Sequence, residues 1–229
     1  MSKKYEIKVF DNDPGECDLN FKIIVIGDSS VGKSCLVLRA TKGTFESLYT
    51  PTVGFEFLTF YIKIDSAHIK LQIWGTCGQE VYRSLIGSFY RNSSLALIVY
   101  SIDNENSFKN VDSWINELKT KGNPEIITFL VGNKADLEDK RVISKEMLND
   151  LCESHKIKYF LETSAKTGFN VKNIFIEAAK VLYEQHEKFK DRISRIDSFY
   201  DMEKKNQSQN LEKEEDNENN KGERKVGCC

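Results

Sequence analysis

A chain of 229 residues, 40% of them hydrophobic, can build one α/β domain with a real core and leave residues over. Its net charge of −2 and pI near 6.0 give no global electrostatic reason for nucleic-acid binding, its N-terminus MSKKYEIKVF lacks the apolar region of a secretory signal, and no stretch approaches the roughly 20 apolar residues of a membrane helix. The six cysteines are scattered, and two of them end the chain; they read as reduced thiols plus a terminal modification site.

Residues 1–20 are mixed and polar, with a turn signal at Pro14-Gly15, and read as a flexible arm. From Phe21 the texture changes. Ile23 to Ile26 is a β-branched run ending at Gly27, as a buried parallel strand requires. Gly27-Asp28-Ser29-Ser30-Val31-Gly32-Lys33-Ser34 then fits G-x-x-x-x-G-K-[ST] between a predicted strand and a predicted helix. Glycines let backbone N–H groups curl around phosphates, and the helix N-terminus, at Lys33, Ser34 and Cys35, adds positive potential. In such a loop Lys33 reaches the β and γ phosphates and the Ser34 hydroxyl ligates Mg²⁺. The loop alone does not separate GTPases from ATPases or kinases.

Downstream, Phe55 to Ile64 and His68 to Trp74 read as a hairpin turning at Asp65-Ser66. Apolar runs at Leu95 to Tyr100, Ile126 to Val131 and Tyr159 to Leu161 read as further strands. Val171, Ile174, Phe175, Ala178 and Leu182 mark one face of a helix. Strands alternating with helices predict a P-loop α/β fold: a mostly parallel, six-stranded sheet with one antiparallel edge strand and helices on both faces. After Phe189 the core signal fades. NQSQNLEKEEDNENNKGERK cannot bury enough apolar surface to offset its ordering entropy, so 189–229 reads as a disordered tail. At coil scaling, about 40 such residues reach on the order of 35 Å.

Two later segments identify the base. Asn133-Lys134-Ala135-Asp136 follows a strand at the end where open α/β sheets bind ligands, and Ser164-Ala165-Lys166 follows the next. In this order and spacing, after a P-loop, they match the N-K-x-D and S-A-K motifs, and residues 21–188 resemble a small GTPase domain of the Rab family. The resemblance implies GTP/GDP and Mg²⁺ as cofactors. Asp136 would accept from the guanine N1 and N2 hydrogens, Lys134 would cover the base, and the Ala165 N–H would meet guanine O6. Phe45 to Gly54 resembles switch I: Thr52 would ligate Mg²⁺ and sense the γ-phosphate, Phe45 would stack near the base, and Tyr49 would cover the phosphates. Val53-Gly54-Phe55-Glu56-Phe57, Leu71-Gln72-Ile73-Trp74 and Tyr90-Arg91 resemble Rab stretches rather than Ras or Rho ones, and Phe57, Trp74 and Phe89 occupy the positions of an aromatic triad that effectors read.

One motif departs from the family. Where Rab proteins read W-D-T-A-G-Q-E, this chain has Trp74-Gly75-Thr76-Cys77-Gly78-Gln79-Glu80. Gly78, whose N–H senses the γ-phosphate, and Gln79, which would orient the attacking water, are present. The aspartate that holds Mg²⁺ through a water is replaced by Gly75, a change of the kind that weakens metal affinity about 10–100-fold. No neighbour in the sequence offers an evident substitute carboxylate. The chain ends Val226-Gly227-Cys228-Cys229, which is not C-a-a-X and resembles the Rab double-geranylgeranyl site, where two lipids give stable anchoring.

The resemblance therefore implies a monomeric GTPase on the cytoplasmic face of intracellular membranes, cycling with the cytosol and regulating vesicle and membrane traffic. Its partners would be exchange factors (GEFs), GTPase-activating proteins (GAPs), effectors, Rab escort protein and GDP-dissociation inhibitor, with no nucleic acid. Gly75 keeps open an alternative, a nucleotide-binding adaptor deficient in hydrolysis. A small-molecule P-loop kinase would leave Asn133 to Asp136 unexplained.

Overall fold

The structure, a computed structural model, describes residues 4–45, 55–76, 90–123 and 125–194. Strands β1 (Ile7–Phe10) and β2 (Leu19–Ile26) are followed by helix α1 (Lys33–Lys42), then by β3 (Phe55–Ile64) and β4 (Ala67–Thr76). β5 (Leu95–Ser101), α2 (Glu105–Lys109), α3 (Val111–Lys121), β6 (Ile127–Asn133), α4 (Lys145–His155) and β7 (Tyr159–Glu162) complete the alternation. Residues Met1–Tyr183 form one compact unit and Glu184–Cys229 a second. Helix α5 occupies 171–183 of the first, and residues 184–194, the described part of the second, are also helical.

The strands join in the order β1-β3-β4-β2-β5-β6-β7. The pairs β2–β4, β2–β5, β5–β6 and β6–β7 are parallel, while β3–β4 and β1–β3 are antiparallel. The sheet therefore has seven strands where six were expected, and the additional one lies inside the segment read as a flexible arm. Its residues explain it. Ile7 and Val9, with Tyr5 before them, alternate onto the core face, and β1 pairs in register Ile7 with Ile64 and Phe10 with Tyr61. The polar residues that made the arm look loose hold it to the hairpin. Asp13 accepts from the Tyr61 hydroxyl at 2.7 Å, Asp18 accepts from the His68 N–H at 2.7 Å, and Glu6 and Asp65 bond to each other in both directions.

Side-chain alternation along β2 divides the core. Ile23 and Val25 join Leu36 and Val37 of α1 and Ile174, Phe175 and Ala178 of α5 on one face. Ile24 and Ile26 join Trp114 and Leu118 of α3 and Leu148 of α4 on the other. Both faces of β2 and β5 are covered, so these strands read as continuous apolar runs. Each fully buried isoleucine contributes about 1.5–3 kcal/mol against the exposed state.

Candidate functional site

The loops after β2, β6 and β7 gather at the C-terminal end of the parallel strands. Directly after β2 the backbone turns left-handed at Gly27 (φ 137°), Ser30 (φ 64°) and Gly32 (φ 93°). Two glycines have steric reasons as well: a Cβ at Gly27 would sit 2.1 Å from the Val99 carbonyl oxygen, and one at Gly32 would sit 2.4 Å from Nδ2 of Asn133. Ser29 and Ser30 are exposed, Val31 is buried, and Ser34 and Cys35 are half-buried. α1 starts on Gly32 with no side-chain cap and no acidic residue in its first turn, an electrostatic setting that favours an anion at the helix N-terminus. The buried Lys33 ammonium spans that loop, donating to the carbonyls of Gly27 at 2.9 Å and Asp28 at 2.6 Å. The arrangement is a backbone cradle with a fixed cation, suited to a polyphosphate.

Asn133 binds the three loops to one another. Its Nδ2 donates to the Val31 carbonyl at 2.9 Å, and its Oδ1 accepts from the Ala165 N–H and the Thr163 hydroxyl, each at 3.2 Å. Backbone bonds reinforce the junction, from Thr163 N to Gly132 O at 2.8 Å and from Ala135 N to Thr163 O at 2.9 Å. The Ala165 N–H, expected to meet a base oxygen, is here engaged by Asn133, so a base would have to share that donor. Asp136 is oriented by the Ser164 hydroxyl, which donates to it at 2.6 Å, while Lys166 stands 3.9 Å from its other oxygen. Lys134 adopts a left-handed backbone (φ 65°) and places its ammonium 3.7 Å from Asp103. Phe45 is half-buried at the end of its described stretch.

Other residues in the site carried no signal in the motif reading. Asp28, inside the phosphate-type loop, accepts from Asn110 Nδ2 at 2.7 Å and from Trp114 Nε1 at 2.8 Å. The available clue was electrostatic: a carboxylate inside an anion-binding loop is out of place unless neutral donors hold it. Arg141 forks onto Glu162, at 2.7 and 2.9 Å, and onto Glu138, at 2.8 and 2.7 Å, immediately before Thr163 and Ser164. These bonds hold the Glu138 carboxyl below its ordinary range.

Gly75, near the end of β4, is buried between β2 and β3, in register with Val25 on one side and Glu56 on the other. A Cβ at 75 would lie 3.6 Å from Glu56 Cβ and 3.9 Å from Glu56 Oε2. A carboxylate therefore does adjoin the position that lacks one, contrary to the expectation from sequence neighbours, because antiparallel pairing brings in a residue 19 positions away. Burial pushes the Glu56 carboxyl up, and the Lys42 ammonium opposes that shift.

On the opposite face of the hairpin Phe57 pairs in register with Trp74, their rings 4.9 Å apart, with Phe57 48% exposed and the Lys22 ammonium 5.3 Å from the Trp74 ring. Tyr49, Thr52, Gly78, Gln79, Phe89, Cys228 and Cys229 lie outside the described residues.

The family model of the Ras family matches residues 22–184. This chain belongs to the Ras family. The match opens inside β2, so β1 and the segment joining it to β2 lie outside the part that carries the family's pattern. As a Ras-family member the chain is a GTP-binding small GTPase, from a family that binds guanine nucleotide and typically Mg²⁺. Ras-family membership also implies exchange factors, GAPs and effectors as partners in general.

Proposed function

We propose that this Ras-family protein is a Rab-type switch that regulates vesicle and membrane traffic from the cytoplasmic face of intracellular membranes. The observation that carries the Rab reading is the Phe57–Trp74 pair: a half-exposed aromatic packed on a second one, beside a charged residue, suits an interface anchor. The stretch Val53-Gly54-Phe55-Glu56-Phe57 and the terminal Cys228-Cys229 support it from the sequence. Two geranylgeranyl groups on those cysteines would hold the chain on a membrane, with escort protein and GDP-dissociation inhibitor handling the lipidated form. Among the described residues no helix is long and apolar enough to cross a membrane.

In this reading Ser29 to Cys35 wrap the phosphates, Lys33 moves from its loop carbonyls to the β and γ phosphates, and Asp136, held by Ser164, accepts from the guanine N1 and N2 hydrogens. Adenine lacks matching donors there, and an unpaired carboxylate would be costly. The Ser34 and Thr52 hydroxyls are hard oxygen donors of the kind Mg²⁺ takes. Mg²⁺ held by these residues would supply positive charge against the phosphates. Gln79 orients the attacking water, and a GAP supplies an arginine.

Identifying the nucleotide that purifies with the chain, and comparing GTP with ATP by calorimetry, tests the base assignment; equal retention of ATP overturns it. Prenylation in the presence of escort protein, lost in Cys228→Ser/Cys229→Ser, tests the Rab assignment. Gly75 favours a second reading, an adaptor that binds nucleotide without turning it over. A flat single-turnover time course with candidate GAPs present would select the adaptor.

A further inference from the structure

Resting on the reading that this site takes a Mg²⁺–guanine nucleotide, we propose that Glu56 on β3 supplies the outer carboxylate of the metal site that Gly75 on β4 does not. The two residues are register partners of an antiparallel pair, so their side-chain directions share one face of the sheet. That face is the one α1 covers, since Leu58, Phe60 and Ile62 continue it from Glu56 and pack with Leu36 and Val37, and α1 carries Ser34 in its first turn.

Among the described residues, the three atoms nearest to a Cβ added at Gly75 all belong to Glu56, its Cβ at 3.6 Å, its carbonyl oxygen at 3.7 Å and its Oε2 at 3.9 Å. Glutamate is one methylene longer than aspartate, so Glu56 can extend from the adjoining strand into the volume an aspartate at 75 would fill. A half-buried carboxylate without a strong cation is costly. The cation acting on Glu56 among the described residues is Lys42, at the far end of α1. A divalent ion beside Ser34 would supply the missing charge, with Glu56 holding a metal-bound water rather than the ion itself.

The test is the Mg²⁺ dependence of release of a fluorescent GDP analogue from the full-length chain, with circular dichroism confirming folding. The expected result is that Glu56→Gln raises the Mg²⁺ concentration at half-retention by about 10–100-fold, while release in excess chelator is unchanged. Gly75→Asp should return the Glu56→Gln chain to wild-type Mg²⁺ dependence, and should have a smaller effect when Glu56 is intact, the non-additivity expected of two groups serving one ion. An unshifted Glu56→Gln curve overturns the proposal. So does a Lys42→Met chain that shifts as far as Glu56→Gln, because Glu56 would then act through an ion pair. Wild-type release indifferent to Mg²⁺ overturns the metal–nucleotide reading and this proposal with it, an outcome distinct from the other two.

Discussion

The indole N–H of Trp114, on α3, donates to Oδ1 of Asp28, in the loop after β2, at 2.8 Å across 86 positions of chain. Asn110, just before α3, holds the other carboxylate oxygen. The loop that curls around phosphates is therefore tied to the helix layer of the opposite core face, which Trp114 anchors through burial. Trp114→Phe keeps the ring and removes the donor. Thermal unfolding should show a loss of about 1–3 kcal/mol, and titration should show GDP affinity several-fold weaker; unchanged affinity would mean that the tie stabilises the fold without shaping the loop.

Asn133 is expected to be the least replaceable polar residue of the site. Asn133→Ala would leave the Val31 carbonyl and the Ala165 N–H buried without their partner, at about 1–3 kcal/mol each. We expect at least tenfold weaker guanine-nucleotide binding by calorimetry together with a lowered Tm. Asn133→Asp should be worse still, because a carboxylate oxygen would face the Val31 carbonyl.

The Arg141 fork gives a pH signature. Glu138 lies below its ordinary range because Arg141 donates to it, so the folded chain gives up that proton more readily than the unfolded one. Stability from the pair is present above the ordinary carboxylate range and is lost as pH falls through the lowered value. Arg141→Ala should lower Tm by about 2–4 °C near neutrality, and its gap to wild type should narrow on acidification. A gap independent of pH would assign Arg141 a packing role.

Strand β1 covers an edge that β3 would otherwise present. Deleting residues 1–10 removes the Ile7–Phe10 pairing and the cover that Ile7 and Val9 provide, exposing a ten-residue strand. The truncated chain should melt earlier and elute as larger species in size-exclusion chromatography at high concentration, since an open, long edge invites strand pairing. A monomeric truncation with unchanged Tm would show β1 to be dispensable.

The parallel strands were legible because strands buried on both faces must be apolar at every position, and Ile23 to Ile26 and Leu95 to Tyr100 are. The P-loop was legible because its glycines and Lys33 answer to local geometry within eight residues. β1 was not, because four residues between polar stretches bury their apolar side only once β3 is beside them. The role of Asp28 was not legible within its motif, since its partners are Trp114 on α3 and Asn110 just before it.

Local chemistry alone placed the phosphate-type loop, the Asn133–Asp136 and Ser164–Lys166 segments and the strands from β2 onward, because each depends on side chains a few positions apart. Only folding decided that Asn133 would bind three loops together, that Trp114 would hold Asp28, and that Glu56 would stand beside Gly75. Those relationships come from strand register and helix packing, which bring distant residues to within a few ångströms through contacts that no short window of sequence contains.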